Sequence, residues 1–257
     1  MHNIHTTHLH PKFSIVTVTY NAESVIDDTI QSIVTQTYHN FEYIIIDGGS
    51  TDKTMNIINQ YKNLITKVIS EPDNGLYDAM NKGINLATGD YICFMNAGDE
   101  FHEDDTLQLI VHSLKGTDLP DVIYGDTDIV NSERHFLHKR RLSPPDKLTW
   151  KSFKNGMLVC HQAFFARMEL VKKTPYDLKY RFSSDFDWCI RILQQAGVIH
   201  NTHLTLIDYL NEGLTTKNHQ ASLKERFHIM CKHYGFISTA LRHVGFVFRA
   251  LRHNEKA

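Results

Sequence analysis

Between Phe13 and Asp99 the sequence switches period again and again: a short apolar or β-branched run, a polar cluster rich in Asp, Asn and Gly, then a stretch with helical spacing. Parallel strands need a long crossover between them, so this alternation predicts an α/β fold with a mostly parallel central sheet and helices on both faces. FSIVTVT, Phe13 to Thr19, reads as a strand, and Ile26, Ile30 and Ile33 form the apolar stripe of the helix after it. YIIID, Tyr43 to Asp47, is the next strand. It ends in Asp47-Gly48-Gly49-Ser50-Thr51-Asp52, after which Met55, Ile58 and Tyr61 resume a helical period. A short strand over Lys67 to Ser70 leads into a helix over Leu76 to Ala87, and YICFM, Tyr91 to Met95, ends in Asn96-Ala97-Gly98-Asp99.

Polar clusters therefore recur where strands end, and open α/β sheets bind their ligands in the crevice outside the carboxyl ends of the strands. After Asp121-Val122-Ile123-Tyr124 the alternation gives way to a basic stretch, His135 to Arg141, and Pro144-Pro145, which reads as an insertion or hairpin region. VCHQAFFA, Val159 to Ala166, is strand-like. A helix is expected from Ser183 or Ser184 as cap, with Phe186, Ile190 and Leu193 on its buried face.

Composition removes several functional classes. The 257 residues, 42% of them hydrophobic, suffice for one substantial core. Lys and Arg total 27 against 29 Asp and Glu, so no electrostatic case exists for nucleic acid as a partner. Cys93, Cys160, Cys189 and Cys231 are scattered, without metal or disulfide spacing, and read as buried thiols of a cytoplasmic protein. No apolar run approaches the roughly 18 residues of a membrane span, and the His-rich start, residues 1–10, reads as a disordered tail.

Four motifs, SIVTVTYNAE, YIIIDGGSTDKT, EPDNGLYDAMNKGINLATGDYICFMNAGDE and SSDFDWCIRI, stand in this order. Together they resemble the family 2 inverting glycosyltransferases of GT-A fold, in particular bacterial exopolysaccharide and colanic-acid-type enzymes. The resemblance covers roughly the first 215 residues. It implies a glycosyltransferase domain over 11–215, with a nucleotide-sugar half at 11–125 and an acceptor half at 126–215, and a C-terminal helical extension at 216–257.

The resemblance also implies roles. Asp47 would contact the nucleotide base, with Thr19, Tyr20, Asn21 and Glu23 lining the same pocket and Gly48 and Ser50 leaving it room. Read from its residues alone, the Asp47–Asp52 cluster is equally a helix-entry turn, a role that Asp52 fits better than Asp47. Asp73, Asn81 and Lys82 would meet the donor, although each also suits an ordinary loop and cap. Asn96 and Ala97 would lie along it. Asp99 stands where the family carries its acidic metal motif and would hold Mg²⁺ or Mn²⁺ against the diphosphate. Asn96 and Gly98 replace acids of that motif, which removes the usual ribose-contacting carboxylate and lowers the expected metal affinity. Asp185 would be the general base that inverting transfer requires, or else a helix N-terminal carboxylate. Asp187 and Arg191 have the spacing of a structural ion pair.

His161-Gln162 could face the acceptor or the diphosphate, but a lone His beside apolar neighbours reads as a core residue; Trp150 and Trp188 could stack on a sugar ring but read as core or rim packing. The processive synthases' Q-x-x-R-W motif is missing, since Gln194-Gln195 runs into Ala196-Gly197, so single transfer is favoured. A nucleotidyltransferase would need a Gly-rich loop bearing Arg, and Thr19-Tyr20-Asn21 is not one. The expected function is transfer of one sugar from a nucleotide-diphosphate donor to a glycan or lipid-linked acceptor in cell-surface polysaccharide or glycolipid synthesis. A catalytically degenerate nucleotide-sugar-binding protein is the alternative. Oligomeric state is open. Finally, Ile237, Leu241, Val244, Phe248 and Leu251 form an apolar stripe flanked by Arg242, Arg249 and Arg252. Such a helix suits either peripheral contact with the inner face of the cell membrane or packing on the core or a second subunit.

Overall fold

A computed structural model describes residues 10–114, 118–211 and 219–244. Its centre is one mixed sheet of nine strands among the described residues, in the order β3-β2-β1-β4-β8-β6-β9-β5, with β7 paired to β6. The first half follows the expected pattern. β1 (Phe13–Thr19), β2 (Phe41–Asp47), β3 (Lys67–Ser70) and β4 (Tyr91–Phe94) are mutually parallel, linked by α1 (Ile26–Val34), α2 (Thr54–Gln60) and α3 (Leu76–Leu86). β1 and β4 are buried along their whole length, because helices cover both faces of a parallel sheet. Gly83 lets α3 approach β1 closely, since a Cβ there would stand 2.5 Å from Val16 Cγ1. The β1–β2 register sets Thr19 opposite Asp47, and the β2–β3 register sets Asp47 opposite Ser70, so three polar strand ends arrive at one level.

The second half follows the sequence reading in its hairpin region and in the helix begun at Ser184, and departs from it elsewhere. β5 (Glu100–Phe101) leads to α4 (Thr106–Ser113), then β6 (Val122–Val130) turns back through a hairpin into β7 (Phe136–Lys139). The expected boundary at 125/126 thus falls inside a strand. The Val159–Ala166 run is not one strand: His161–Ala163 makes a 3₁₀ turn and only Phe164–Arg167, β8, is extended, antiparallel to both β4 and β6. α5 (Met168–Lys173) and α6 (Ser184–Gln195) follow. β9 (Ile199–Leu210), twelve residues long, was not anticipated; it runs parallel to β6 and antiparallel to β5. Its sequence, IHNTHLTLIDYL, carries His and Asn at its start and a positive φ at His203, which interrupts the period-two signal.

α7 (His219–Tyr234) and a further helix at 236–244 close the described chain. Ser183 is the residue before α6, but its hydroxyl does not cap that helix; it meets Ser222 Oγ of α7 at 2.9 Å. Glu225 of α7 accepts hydrogen bonds from the Arg181 and Phe182 amides, 2.8 Å each. Among the described residues no helix is long and apolar enough to cross a membrane.

The amino-terminal edge of the sheet is held by the buried carboxylate of Glu42. It accepts from Ser14 Oγ (2.5 Å), Thr88 N (2.5 Å), Thr88 Oγ1 (2.7 Å), Lys12 Nζ (3.0 Å) and Gly89 N (3.1 Å), tying β1, β2 and the turn before β4 together. Burial alone would raise this carboxyl, but the bonds from Ser14, Thr88 and Lys12 outweigh it and hold it at about 2, below its ordinary 4.5. A depressed acid stabilises the fold fully above its unfolded value and loses that contribution as pH falls through the folded one. Chemical denaturation is therefore expected to show stability dropping between pH 4.5 and about 2, with Glu42→Gln less stable at neutral pH and flatter through that window.

Candidate active site

The segment after β1 and the loop after β2 are stitched edge to edge. Asn21, in the left-handed region at φ 48°, donates its amide to Ser50 Oγ (2.8 Å) and accepts from Thr51 N at its side-chain oxygen (2.9 Å). Glu23 repeats the exchange one turn on: its amide donates to Asp52 Oδ2 (3.1 Å) and its carboxylate accepts from Lys53 N (2.9 Å). Asp52 Oδ1 also accepts from Thr54 N at the start of α2 (3.0 Å), the turn role expected of it. Asp47 is wholly buried. Its carboxylate accepts from Gly49 N (3.1 Å), Ser50 N (3.0 Å) and Ser70 Oγ (2.6 Å), and from the Ser50 hydroxyl. Asp47 and Ser50 thus shape the loop from within, and what the loop presents outward is Tyr20, Gly48 and Asp73. A Cβ on Gly48 would meet Asp73 Oδ2 at 2.7 Å and Tyr20 Cδ2 at 3.5 Å, so an exposed ring, a bare backbone and a carboxylate converge at one point.

Asp73 Oδ1 accepts from Gly75 N at 2.8 Å, which sets the entry to α3. Lys82 pairs with Glu71 (2.8 Å) and reaches Pro72 O (3.3 Å), on the outer side of the same loop. Asn81 faces elsewhere: its amide spans the Tyr176 backbone, donating to Tyr176 O (3.1 Å) and accepting from Tyr176 N (2.8 Å).

The Asn96–Asp99 turn leaves β4 beside this loop. Gly98 has φ 104°, a conformation that strains any L residue, and a Cβ there would stand 3.1 Å from Leu210 Cδ2. Glycine in place of an acid is thus a backbone requirement of this turn. The turn is clamped at Gly98, whose amide donates to Thr29 Oγ1 (2.8 Å) and whose carbonyl accepts from Arg134 Nη1 (2.8 Å). Arg134 also pairs with Glu100 (2.6 Å) and Asp28 (3.3 Å). Asp99 is buried and bridges two distant elements, accepting from Gln162 Nε2 (2.5 Å) and from Leu210 N (3.1 Å). Burial pushes its carboxyl up to about 7, against the lowering influence of the Leu210 and Gln162 bonds and of Arg134. Nearby, Thr19 Oγ1 and Asn96 Oδ1 are buried with no hydrogen-bond partner among the described residues.

Asp185 opens α6. Its Oδ1 accepts from the Tyr77 hydroxyl at 2.9 Å, while Oδ2 has no partner among the described residues. Tyr77 belongs to the first turn of α3, the helix whose entry Asp73 sets, so α3 connects the two ends of the crevice. Burial raises the phenol of Tyr209, near the end of β9, and the charges of Asp99, Cys160 and Asp185 add to it. Behind Asp185 lies an aromatic layer in which His161 stacks on Phe94 (5.3 Å between centroids) and Tyr176 on Trp188 (5.0 Å). His161 Nε2 meets Tyr176 Oη at 2.5 Å, and burial lowers the ring to about 4, so it is the neutral core residue expected from its neighbours. Trp150 packs flat on Tyr234, 5.5 Å away.

Asp187 points away from Asp185, as its position two residues on predicts. Wholly buried, it pairs with Arg191 Nε (2.6 Å), as expected, and also with Lys232 Nζ (3.0 Å) and His233 Nε2 (2.8 Å) of α7. A second acidic group, His102, Asp128 and Asp208, could also surround a cation, its ligand atoms lying within 4.8 Å of one another. Those carboxylates already have partners: Asp208 meets His102 Nδ1 at 2.8 Å and Asp128 meets Lys139 Nζ at 2.8 Å. Sequence reasoning passed over Tyr77, Arg134 and Tyr209, and considered Gln162 only as part of His161-Gln162. Tyr77, Arg134 and Gln162 act through contacts 108, 36 and 63 residues away in the chain, and only His161-Gln162 gave a local hint.

Solved structures share this architecture. S. aureus TarS 1-349 superposes with a TM-score of 0.66 at 16% identity, over 91% of this chain and 72% of that one. The TarS complex with UDP-GlcNAc gives 0.67 at 19% identity, over 85% and 64%. Mannosyltransferase PcManGT from Pyrobaculum calidifontis, in complex with GDP-Man and Mn²⁺, gives 0.59 at 14%, over 92% and 75%. The fold is that of the GT-A glycosyltransferases. In sequence, the family described as Glycosyl transferase family 2 matches residues 14–174. A PGL/p-HBAD biosynthesis glycosyltransferase of Mycobacterium bovis is 35% identical over 208 residues, 79% of this chain and 78% of the relative. The amylovoran biosynthesis glycosyltransferase AmsB of Erwinia amylovora is 32% identical over 192 residues, 70% and 63%. The chain belongs to glycosyl transferase family 2, as its motifs indicated.

The Asp187 cluster carries a stability prediction. Asp187→Asn leaves Arg191, Lys232 and His233 without their shared anion; because Lys232 and Arg191 still reach water, the cost is expected at about 3 kcal/mol, the lower end for a broken buried pair. Urea unfolding measures it, and an unchanged midpoint would contradict this account.

Proposed function

We propose that this glycosyltransferase moves a single sugar, with inversion, from a nucleotide-diphosphate donor to a glycan or lipid-linked acceptor of a surface polysaccharide or glycolipid. The observation that carries the reading is that two of the buried polar atoms without a partner among the described residues, Thr19 Oγ1 and Asn96 Oδ1, stand at the end of β1 and just past the end of its neighbour β4. Buried polar atoms without partners cost about 1–3 kcal/mol each and mark places where a ligand completes the bonding. Thr19 directly precedes Tyr20, and Asn96 opens the turn that ends in Asp99, so the two atoms belong to the strand-end segments that would meet the donor.

A divalent cation fits the chemistry of this turn. Asp99, desolvated and pushed up to about 7, and the Asn96 amide oxygen, unsatisfied among the described residues, belong to one turn; both would hold Mg²⁺ or Mn²⁺, the ion taking the place of the bonds Asp99 accepts from Gln162 and the Leu210 amide. When bound, such an ion neutralises charge on the departing diphosphate. Arg140, whose charge is felt by Tyr209 and Cys160, is a further cation on this side.

Asp185 is the base in this reading. Tyr77 occupies Oδ1 and fixes the carboxylate plane, leaving Oδ2 for the acceptor hydroxyl. As that hydroxyl attacks the anomeric carbon from the face opposite the diphosphate, its proton passes to Oδ2, the new glycosidic bond forms and the bond to the diphosphate breaks. The TarS complexes with UDP and UDP-GlcNAc make uridine nucleotides the first probes.

Thermal unfolding with a panel of nucleoside diphosphates, each with and without Mn²⁺, tests the donor site. One nucleotide at a hundredfold excess over its Kd is expected to raise the Tm by about 5–10 °C only with metal, and Asp99→Ala is expected to lose the effect. No shift with any nucleotide would sink the donor assignment. For the base, Asp185→Asn is expected to cut turnover about a hundredfold or more while keeping the nucleotide-induced shift. Tyr77→Phe, which loses one orienting hydrogen bond, is expected to cost about 3- to 10-fold in kcat with the donor KM unchanged. Full activity of Asp185→Asn would assign the base elsewhere.

A further inference from the structure

The carboxy-terminal part of the chain presents a surface that the transfer reaction does not use. On the helix at 236–244, Thr239 is buried and His243 lies against the Phe227 ring, 4.9 Å between centroids, so that side faces the protein. The opposite side carries Ile237, Leu241 and Val244, exposed by 76%, 70% and 54%, with Phe236 at its edge, its ring 6.1 Å from that of Phe227. A contiguous apolar face of this kind costs free energy in water and calls for an occupant.

Charge narrows what that occupant is. Between Arg226 and Asn254 the sequence contains no Asp or Glu, while Lys232, Arg242, Arg249 and Arg252 fall within it. Glu225, just before, is turned inward onto the Arg181 and Phe182 amides. Arg242, beside Leu241, reaches Asn155 Oδ1 at 3.0 Å and so joins the helix to the 3₁₀ turn Trp150–Asn155. There the cations continue: Lys151 Nζ lies over the Trp150 ring (5.7 Å) and Lys154 Nζ over Tyr234 (5.3 Å), the two rings being stacked on each other. An apolar helix face bordered by Trp, Tyr and cations without acids has the composition of an interfacial membrane helix. A second copy of the chain would bring like charges together across a two-fold contact, which opposes self-association.

We propose that the 236–244 helix and the Trp150–Asn155 turn form a docking surface for an anionic lipid bilayer. The apolar side chains enter the headgroup boundary, and Lys151, Lys154 and Arg242 meet lipid phosphates. The same turn packs on α6, with Phe153 against Phe186 at 5.7 Å, so docking holds the Asp185 end of the crevice near the bilayer. For the activity proposed above, on which this one consequence rests, it favours a lipid-linked acceptor.

Co-sedimentation of the full chain with vesicles tests the surface. The wild type is expected to bind vesicles of phosphatidylcholine mixed with an equal amount of phosphatidylglycerol at least about tenfold more than vesicles of phosphatidylcholine alone, and to lose that preference in high salt. The doubly exposed variant Ile237→Asp/Leu241→Asp and, separately, Lys151→Glu/Lys154→Glu are each expected to lose about tenfold or more of the binding. Both should keep the wild-type Tm and nucleoside diphosphate response, which separates failure here from failure of the donor site. Absence of wild-type binding to anionic vesicles, or undiminished binding by the Asp variant, overturns the proposal. So does a wild-type dimer that the Asp variant converts to monomer without any vesicle binding, since a second copy would then cover the face.

Discussion

The buried carboxylate of Asp99 is the junction on which the two halves of the molecule depend. It leaves the end of β4, in the parallel half, and takes its two hydrogen bonds from Gln162 on the turn before β8 and from the Leu210 amide at the end of β9. Those partners belong to the mixed half of the sheet. The turn that presents it is held from two further directions, by Thr29 of α1 and by Arg134 of the β6–β7 hairpin. One acid is therefore surrounded by elements from along the whole described domain. The desolvation that raises it is the expected result of placing a carboxylate at such a crossing without a full counter-charge.

A second set of contacts does for Asp185 what the junction does for Asp99. The residue itself is only the second position of α6, but Glu225 holds the two amides just upstream, Ser222 holds Ser183, and Asp187 gathers Lys232 and His233. α7 thus braces the start of α6 from outside, while the layer of Phe94, His161, Tyr176 and Trp188 fills the space behind it. A buried anion bonded to Arg191, Lys232 and His233 sits two residues from a carboxylate one of whose oxygens has no partner among the described residues. The contrast between Asp187 and Asp185 arises from the helix: positions i and i+2 point in different directions, so one faces α7 and the other faces Tyr77.

Much of the parallel half was legible in advance because its signals are local. Apolar runs buried on both faces, Ile26, Ile30 and Ile33 on one stripe, and strand ends marked by Asp and Gly need no knowledge of distant partners. The mixed half was less legible for the converse reason. β8 is four residues long and follows a 3₁₀ turn, and β9 mixes His, Asn and Thr into a strand stabilised by pairing on both sides. In such strands the tertiary partner, more than intrinsic propensity, decides the conformation.

The sequence by itself determined the order of the strand-end motifs, and with it the α/β class, the family and the placing of Asp73, Asp99 and Asp185 at candidate positions. What only the tertiary structure decided is how each polar group is employed. Asp47 and Ser50 turn inward to shape their loop, Asn81 spans the Tyr176 backbone, and Gly98 is set by a positive φ. The physical reason is that a motif specifies which groups arrive at the sheet edge, whereas the bonds that tie those groups to the rest of the fold reach residues 23 to 111 positions away, as in Asp47–Ser70, Tyr77–Asp185 and Asp99–Leu210. Those partners exist as neighbours only once the chain has folded.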